Sequence, residues 1–129
     1  MFDTEYWADE RVLSLPVKAG AVIRQGALVM VSGGYAEEAG PGTGKIALGV
    51  AQESVDNTGG ADGAKKVLVR RGVFRFENDP ADPVGPTELG KDVYATGPNT
   101  VAKTGTGRSK AGRLLRLDPD GVGVWVEVW

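Results

Sequence analysis

The chain has no cysteine and no histidine among its 129 residues. The absence of cysteine excludes disulfides, zinc–thiolate sites and thiol nucleophiles. The absence of histidine removes the commonest general base, the commonest metal ligand and the side chain that titrates nearest neutral pH. Enzymes can use carboxylates or lysine instead, but the two absences together favour a binding or structural role. We therefore predict no enzymatic activity and no cofactor.

Long hydrophobic runs and a charge excess are also missing. No stretch approaches the roughly 20 apolar residues that a membrane-spanning helix needs. The first five residues, MFDTE, lack the basic and apolar regions of a secretory signal. The formal net charge of -2 at pH 7 argues against non-specific binding to nucleic acid. We expect no membrane partner and no direct nucleic-acid partner.

Glycine and short apolar segments dominate what is present. The 20 glycines and 7 prolines are too many for a helical bundle, whereas 41% hydrophobic residues are too many for a disordered chain. The only helical candidate is a single turn around residues 86–89. Many short strands with turns between them predict an all-β domain. We expect a small glycine-rich β-barrel or sandwich with long loops at 32–44, 54–64 and 77–91.

The first strands of this domain are predicted from apolar alternation. Residues 12–15 run into Pro16, which is typical of an edge strand. Residues 21–23 and 27–31 flank a turn at 24–26 and predict a hairpin. The second of these two strands is apolar on both faces, so we expect it to be central.

The middle of the chain adds a long extended segment and three short strands. Residues 65–76 form the longest strand candidate, with a bulge predicted at residues 71–72 that shifts its register. The short strands are predicted at 45–51, 93–95 and 100–102.

A final hairpin is predicted by its turn chemistry. Residues 113–117 lead into DPDG at 118–121, and a last strand covers 122–129. Aspartate first, proline second and glycine fourth are the preferences of a type I turn.

The last strand, VGVWVEVW, carries apolar side chains on both faces. Successive side chains alternate between faces, so its four valines share one face and Trp125 and Trp129 share the other. The valine face suits a core. The tryptophan face requires either a covering loop of the same chain or a second polypeptide, and both interpretations stay open. The second predicts self-association through Trp125 and Trp129.

Residues 1–11 are predicted to form an extended N-terminal arm ahead of a β domain at 12–129. The arm combines three aromatic side chains with four acidic ones. Such aromatics either pack back on the domain or anchor the arm to a neighbour, and we predict the second. The candidate interface residues of the arm are Phe2, Tyr6, Trp7 and Arg11.

The segment GPGTGK at 40–45 invites a phosphate-loop interpretation, which fails. Ala39 stands where the motif requires glycine, and Ile46 stands where it requires a hydroxyl. No predicted helix follows that could offer its N-terminus to a phosphate. The scattered aspartates lack the alternating spacing of a calcium loop, so we predict no metal site either.

Two basic clusters are visible. The first comprises the loop 105–110 with Arg113 and Arg116, and the second comprises the pairs at 65–66 and 70–71. Solvated surface is the ordinary interpretation of such clusters. The alternative is docking of an acidic partner, for which the acidic arm of another subunit is one candidate. In that case attraction between the basic cluster and the acidic arm would guide exchanged arms to their binding site and fix their register there.

The order of the segments resembles a known family. The segments are VKAGAVIRQGALV at 17–29, IALGVA at 46–51, VLVRRGVF at 67–74 and LGKDVY at 89–94, followed by the valine-rich last strand. This order resembles the capsid decoration, or cement, proteins of tailed bacteriophages. The resemblance runs from about residue 12 to the end and leaves the arm outside.

The resemblance implies a small β-rich structural protein that binds the outer surface of the assembled head. It further implies the major capsid protein as partner, a homotrimer at three-fold positions, and stabilisation of the expanded shell. The protein would be made in the host cytoplasm, reside on the outer capsid surface of the virion and have no catalytic residues. The arm would then lie along capsid-protein strands, as peptides do at exposed sheet edges.

Two alternatives from other classes remain. Residues 20–31 also resemble half of a biotinyl- or lipoyl-carrier barrel, in which a lysine at a hairpin tip is modified. Here Lys65 follows Ala64, but Lys66 comes directly after it and no second half is visible. A covalent mass increment would support the carrier. The other alternative is an enzyme that relies on carboxylates or lysines.

Overall fold

The computed structural model describes residues 11–128, so residues 1–10 and Trp129 lie outside the described part. A single turn of 3-10 helix occupies Pro86–Glu88, as the sequence predicts. The strands within the described residues are β1 Val12–Pro16, β2 Val22–Ile23, β3 Leu28–Ser32, β4 Tyr35–Glu38, β5 Ile46–Ala51, β6 Val55–Asp56, β7 Lys66–Arg70, β8 Gly72–Asn78, β9 Asp92–Ala95, β10 Thr100–Ala102, β11 Ser109–Leu117 and β12 Gly123–Val128.

These strands form two main sheets and confirm the all-β prediction. The first sheet has the order β1-β7-β5-β3-β4. The second closes into a barrel with the order β10-β8-β12-β11-β9. A small third sheet pairs β2 with β6. The division into an arm at 1–11 and a domain at 12–129 stays a prediction, because the arm falls almost wholly outside the described residues.

Strand β3 is apolar on both faces because it lies between two cores. Leu28 and Met30 point into the barrel-side core, whereas Val29 points into a second core on the opposite face of the sheet. All three side chains are 0% exposed. Strand β5 divides in the same way, with Val50 in the first core and Ala51 in the second. The predicted central strand is confirmed, and its two apolar faces are both covered by the chain itself.

The last strand is the wall between β8 and β11 of the barrel. Val124, Val126 and Val128 are buried in the barrel core, as alternation predicts. Val122 is an exception. It precedes the strand and is 56% exposed, because the strand begins only after the turn has closed. That turn matches prediction, since the Gly121 N–H donates to the Asp118 carbonyl over 3.0 Å.

The predicted bulge at residues 71–72 is wrong. Arg71 and Gly72 mark the point where the chain leaves β7 in the first sheet and enters β8 in the barrel. Gly72 has φ 153°, a backbone conformation that favours glycine. The long extended segment is therefore two strands in two sheets. A single run of alternating residues cannot reveal this, because each half alternates normally.

The turn predicted at residues 24–26 is present, since the Ala27 N–H donates to the Arg24 carbonyl over 3.1 Å, but the predicted hairpin is wrong because the flanking strands do not pair. Strand β2 pairs with β6, and β3 pairs with β4 and β5. The Arg24 guanidinium instead binds Glu38, at 2.9 Å between Nη2 and Oε1, and the Gly26 N–H donates to the Ala51 carbonyl over 2.9 Å. These contacts place the segment between β2 and β3 against distant residues.

Two of the predicted long loops contain strands. Strand β4 lies within 32–44 and β6 lies within 54–64. Both escaped prediction because they are short and polar. The edge position of β1 is confirmed, since β1 ends the first sheet.

Asn57 fixes the segment between β6 and β7 to the body of the protein. It is 1% exposed, and its amide Nδ2 donates to the carbonyls of Lys18 and Ala61 over 3.0 and 3.1 Å. A longer contact of 3.4 Å reaches the carbonyl of Val17. One buried side chain therefore joins the end of β1 to the loop that precedes β7.

We predict that Asn57→Asp lowers the free energy of unfolding by about 3 kcal/mol or more, because it places a buried carboxylate against carbonyl oxygens that have lost their donor. Urea denaturation measures the change. The same substitution at the exposed Asn99, whose amide makes one hydrogen bond, is the control and should have a small effect. Equal losses for the two variants would contradict this role of Asn57.

Candidate functional site

Trp125 lies on the outer wall of the barrel, between two arginines. It belongs to β12, where its register partners are Arg75 on β8 and Arg116 on β11. Both arginines are exposed and Trp125 is half-buried. The sequence prediction that Trp125 points away from the valine core is confirmed. We call Trp125, Arg75, Arg116 and Asp118 the Trp125 platform.

Asp118 sets the orientation of the indole. The Trp125 indole N–H donates to Oδ1 of Asp118 over 2.9 Å, and Nε of Arg75 donates to Oδ2 over 2.7 Å. On the other side, Cζ of Arg116 lies 5.8 Å from the centroid of the Trp125 ring, within cation–π range. The hydrogen bonds from Arg75 and then Trp125 hold the pKa of Asp118 below its usual range. The ring is thus held in one orientation while one part of it stays accessible.

Gly123 makes room for this arrangement. It is buried beneath the Trp125 platform, two residues before Trp125 on the same face of β12. A Cβ atom at this position would collide with the Arg75 guanidinium and with Oδ2 of Asp118. Glycine is therefore required for the Arg75–Asp118 contact.

Sequence reasoning missed the roles of Asp118 and Gly123. Both have a sufficient local explanation in the final hairpin, where aspartate starts the turn and glycine opens the strand. Their contacts with Arg75 span more than forty positions of sequence and carry no local signal. The available hint was the alternation itself, which puts Gly123 on the face of Trp125.

The other predicted interface residues lie at the ends of the chain. Phe2, Tyr6, Trp7 and Trp129 fall outside the described residues. Arg11 is the first described residue, and its carbonyl accepts a hydrogen bond from the Arg71 N–H over 2.7 Å. Next to Arg71, Gly72 pairs with Val128 at the other end of the chain. The crossover between the sheets therefore brings both ends of the described chain together.

The first predicted basic cluster is largely neutralised. Arg108 contacts Asp82 at 2.6 Å and Lys110 contacts Asp92 at 3.2 Å. Arg113 contacts Glu127 at 2.9 Å, and Arg116 belongs to the Trp125 platform. Each cation thus has an intramolecular partner, which disfavours this cluster as a docking surface for an acidic molecule.

A comparison with protein families identifies the chain. A family model described as phage cement protein matches residues 7–124, which is most of the sequence. The chain belongs to the phage cement protein family. This membership confirms the resemblance and supports a structural, capsid-associated role. Neither a search of curated proteins nor a search of solved structures gave a match.

The bounds of the match correct the sequence analysis at both ends. The match begins at residue 7, so Trp7 and Arg11 belong to the family region, whereas the resemblance left the whole arm outside. It ends at residue 124, so Trp125 lies just beyond it. Arg75, Arg116 and Asp118 of the Trp125 platform lie inside.

The described part of this cement protein has an open groove of about 500 Å³ between β5 and the barrel. Its lining includes Ile46, which is 63% exposed. Its rim holds Lys110 and Arg113, each paired with a carboxylate. Between residues 11 and 128, no three potential metal ligands come together, and no helix is long and apolar enough to span a membrane.

The carrier alternative gains no support from the position of its lysine. Lys65 lies next to β7, where its Nζ donates to the backbone carbonyl of Asp56 over 2.7 Å. The carrier hypothesis requires this amine at the tip of a hairpin. Instead the amine is hydrogen-bonded to the backbone of β6, in the short sheet of β2 and β6.

We predict that Gly123→Ala breaks the Arg75–Asp118 contact with only a small loss of stability, because the new methyl group displaces the flexible ends of both side chains. Thermal and urea denaturation measure the stability, and the fluorescence of Trp125 should report a more solvated indole. Gly97→Ala is the matched control, since its Cβ meets no atom within 4 Å. Unchanged tryptophan fluorescence of Gly123→Ala would contradict the packing described for the Trp125 platform.

We also predict that Asp118→Asn changes the pH dependence of stability. The pKa of Asp118 is lowered by folding, so its contribution is present above its ordinary pKa of about 4 and is lost as the pH falls below that value. The variant should therefore be less stable than the native protein at neutral pH, with the difference vanishing in acid. Urea denaturation at a series of pH values tests this, with Glu53→Gln as the control. A pH-independent difference would contradict the assignment.

Proposed function

We propose that this cement protein binds the outer surface of the assembled phage head through the major capsid protein and stabilises the shell. We propose further that it acts as a homotrimer, without catalysis or cofactor. It would be made in the host cytoplasm and reside on the outer capsid surface of the virion. The observation that carries the proposal is the family match over residues 7–124.

Physical linkage explains how such binding would stabilise a shell. A ligand that binds the assembled, expanded shell but not dissociated subunits shifts the equilibrium toward the shell by mass action. Three copies acting as a trimer would gain avidity, since each further contact is effectively intramolecular. Moderate affinity for each capsid subunit would then suffice.

The proposed interface consists of Phe2, Tyr6, Trp7, Arg11, Trp125 and Trp129. The chemistry of the Trp125 platform supports the inclusion of Trp125. Tryptophan and arginine are the residue types most enriched at binding hot spots, and here both arginines flank one indole. Because Asp118 already fixes the ring, binding would immobilise few additional torsions, which favours affinity.

The decisive experiment mixes the purified protein with expanded shells of the phage that encodes it and measures added mass and imaged density. We expect saturable binding to the outside of the shells and a raised melting temperature of the shells. Native mass spectrometry should give three times the mass of the chain. Shells that bind nothing, or a protein that remains monomeric at high micromolar concentration, would contradict the corresponding part of the proposal.

Substitution at Trp125 tests the interface. We predict that Trp125→Ala weakens binding to shells by roughly 30-fold, the effect of removing a hot spot worth about 2 kcal/mol. Leu89→Ala is the control, because Leu89 is an exposed apolar residue, at 47%, outside the proposed interface. Circular dichroism checks that both variants fold. Equal affinities for the two variants would remove Trp125 from the interface.

Deletion of residues 1–10 tests the arm. We expect the shortened protein to keep its circular dichroism spectrum and to occupy fewer sites on the shells at equal concentration. Unchanged occupancy would show that the arm does not contribute to capsid binding.

A further inference from the structure

The outward face of β1 and β7 is a compact surface that the proposed function does not use. Three cross-strand pairs point outward, namely Val12 with Arg70, Ser14 with Leu68 and Pro16 with Lys66. The side chains between them point into the second core. Val12 and Leu68 are each 42% exposed, although they are apolar. We call these six residues the β1–β7 face.

The charge of the β1–β7 face is of one sign. Strands β1 and β7 read VLSLP and KVLVR and contain no acidic residue. No ion pair joins Lys66 or Arg70 to any residue between 11 and 128. The first basic cluster differs, since Arg108, Lys110 and Arg113 each have an acidic partner. Of the second basic cluster in the sequence, Lys66 and Arg70 therefore have no acidic partner among residues 11–128 and are available to an acidic molecule.

The free edge of β1 lies beside this face. Strand β1 is the end strand of its sheet. In the described part of the chain, only a bridge from Val17 to Ala36 connects the end of β1 to β4. Residues 12–15 thus present main-chain groups to which an extended segment could add as a further strand.

Residues 1–10 have the composition that this surface requires. They contain four acidic residues, no basic residue and three aromatic ones. Ten extended residues reach about 33 Å, whereas the three alternate residues of each strand in the β1–β7 face span only about 13 Å. The carboxylates could meet Lys66 and Arg70 while an aromatic ring covers Val12 and Leu68.

Chain direction favours a second copy as the source of this segment. Strand β1 begins at Val12, so a preceding segment that kept the direction of β1 would leave the end of the face instead of crossing it. To cover its own face the segment would have to reverse direction at residues 8–11, directly before β1 begins. The Arg11 carbonyl is moreover bound to the Arg71 N–H. A neighbouring copy faces no such constraint.

We propose that residues 1–10 of one copy bind the β1–β7 face of a second copy, so that the subunits exchange their arms. Each copy then gives one arm and receives one, and a ring of such contacts closes without a free face. The inference rests on the proposed self-association and assigns the arm to the sister subunit.

Zero-length cross-linking of the full chain tests this. Protein labelled with ¹⁵N and unlabelled protein are unfolded and refolded together, with native mass spectrometry verifying mixed oligomers, and are then treated with a carbodiimide. We expect amide cross-links between carboxylates of residues 1–10 and Lys66, in peptide pairs that combine one labelled and one unlabelled partner. Pairs from within one chain only, or cross-links confined to the barrel lysines, would overturn the proposal.

Charge reversal provides the second measurement. Lys66→Glu with Arg70→Glu should reduce assembly at least tenfold, whereas Lys91→Glu with Lys103→Glu changes the net charge equally and should not. Adding Glu5→Lys and Asp9→Lys to the first variant should restore assembly, which a variant that merely misfolds would not allow. Equal assembly of both reversals, or no restoration by the swapped arm, would overturn the proposal.

The proposed function is assessed separately by shell binding of the native chain. Binding to shells without mixed-isotope cross-links would refute arm exchange and leave the capsid role standing. Mixed-isotope cross-links without shell binding would support arm exchange and refute the capsid role.

Discussion

Strands β3 and β5 carry apolar side chains on both faces, and each face packs against a different core. Leu28 and Met30 pack into the barrel-side core, whereas Val29 and Ala51 pack into the second core. Because one sheet serves both cores, the β5 side chains couple the barrel to the rest of the domain. The remaining architecture follows from this. The chain must pass between the two sheets, and it does so at Arg71 and Gly72, where both ends of the described chain also meet.

The presence of two cores changes how strands with two apolar faces are to be interpreted. A strand that is apolar on both faces suggests a missing partner if the domain is assumed to have one core. Here two cores within 129 residues absorb most of these faces. The surfaces left for neighbours are smaller and more specific. Within residues 11–128 they include an indole held between two arginines, and a pair of apolar residues beside Lys66 and Arg70, which form no ion pair with another described residue.

These two surfaces have different physical characters. The Trp125 platform is rigid, since Asp118 binds both the indole and Arg75, and a rigid aromatic anchor suits a fixed partner surface. The β1–β7 face combines a free strand edge with positive charge, which suits an extended acidic segment. A cement protein needs both kinds of contact if it is to join its own copies and also hold a shell.

Local chemistry made three features of this protein predictable. They are the turn at 118–121, the separation of three buried valines from Trp125 on opposite faces of β12, and the two apolar faces of β3. Each depends on neighbouring residues alone. The pairing of β2 with β6, the polar strand β4 and the switch of sheets at Arg71 could not be read in this way, since they depend on hydrogen bonds and packing between distant segments. The same holds for the site. Alternation placed Trp125 on the outer wall, but Arg75, Asp118 and Gly123 meet around it only when β8 and β12 pair, because register across a sheet is set by the whole core and not by either strand.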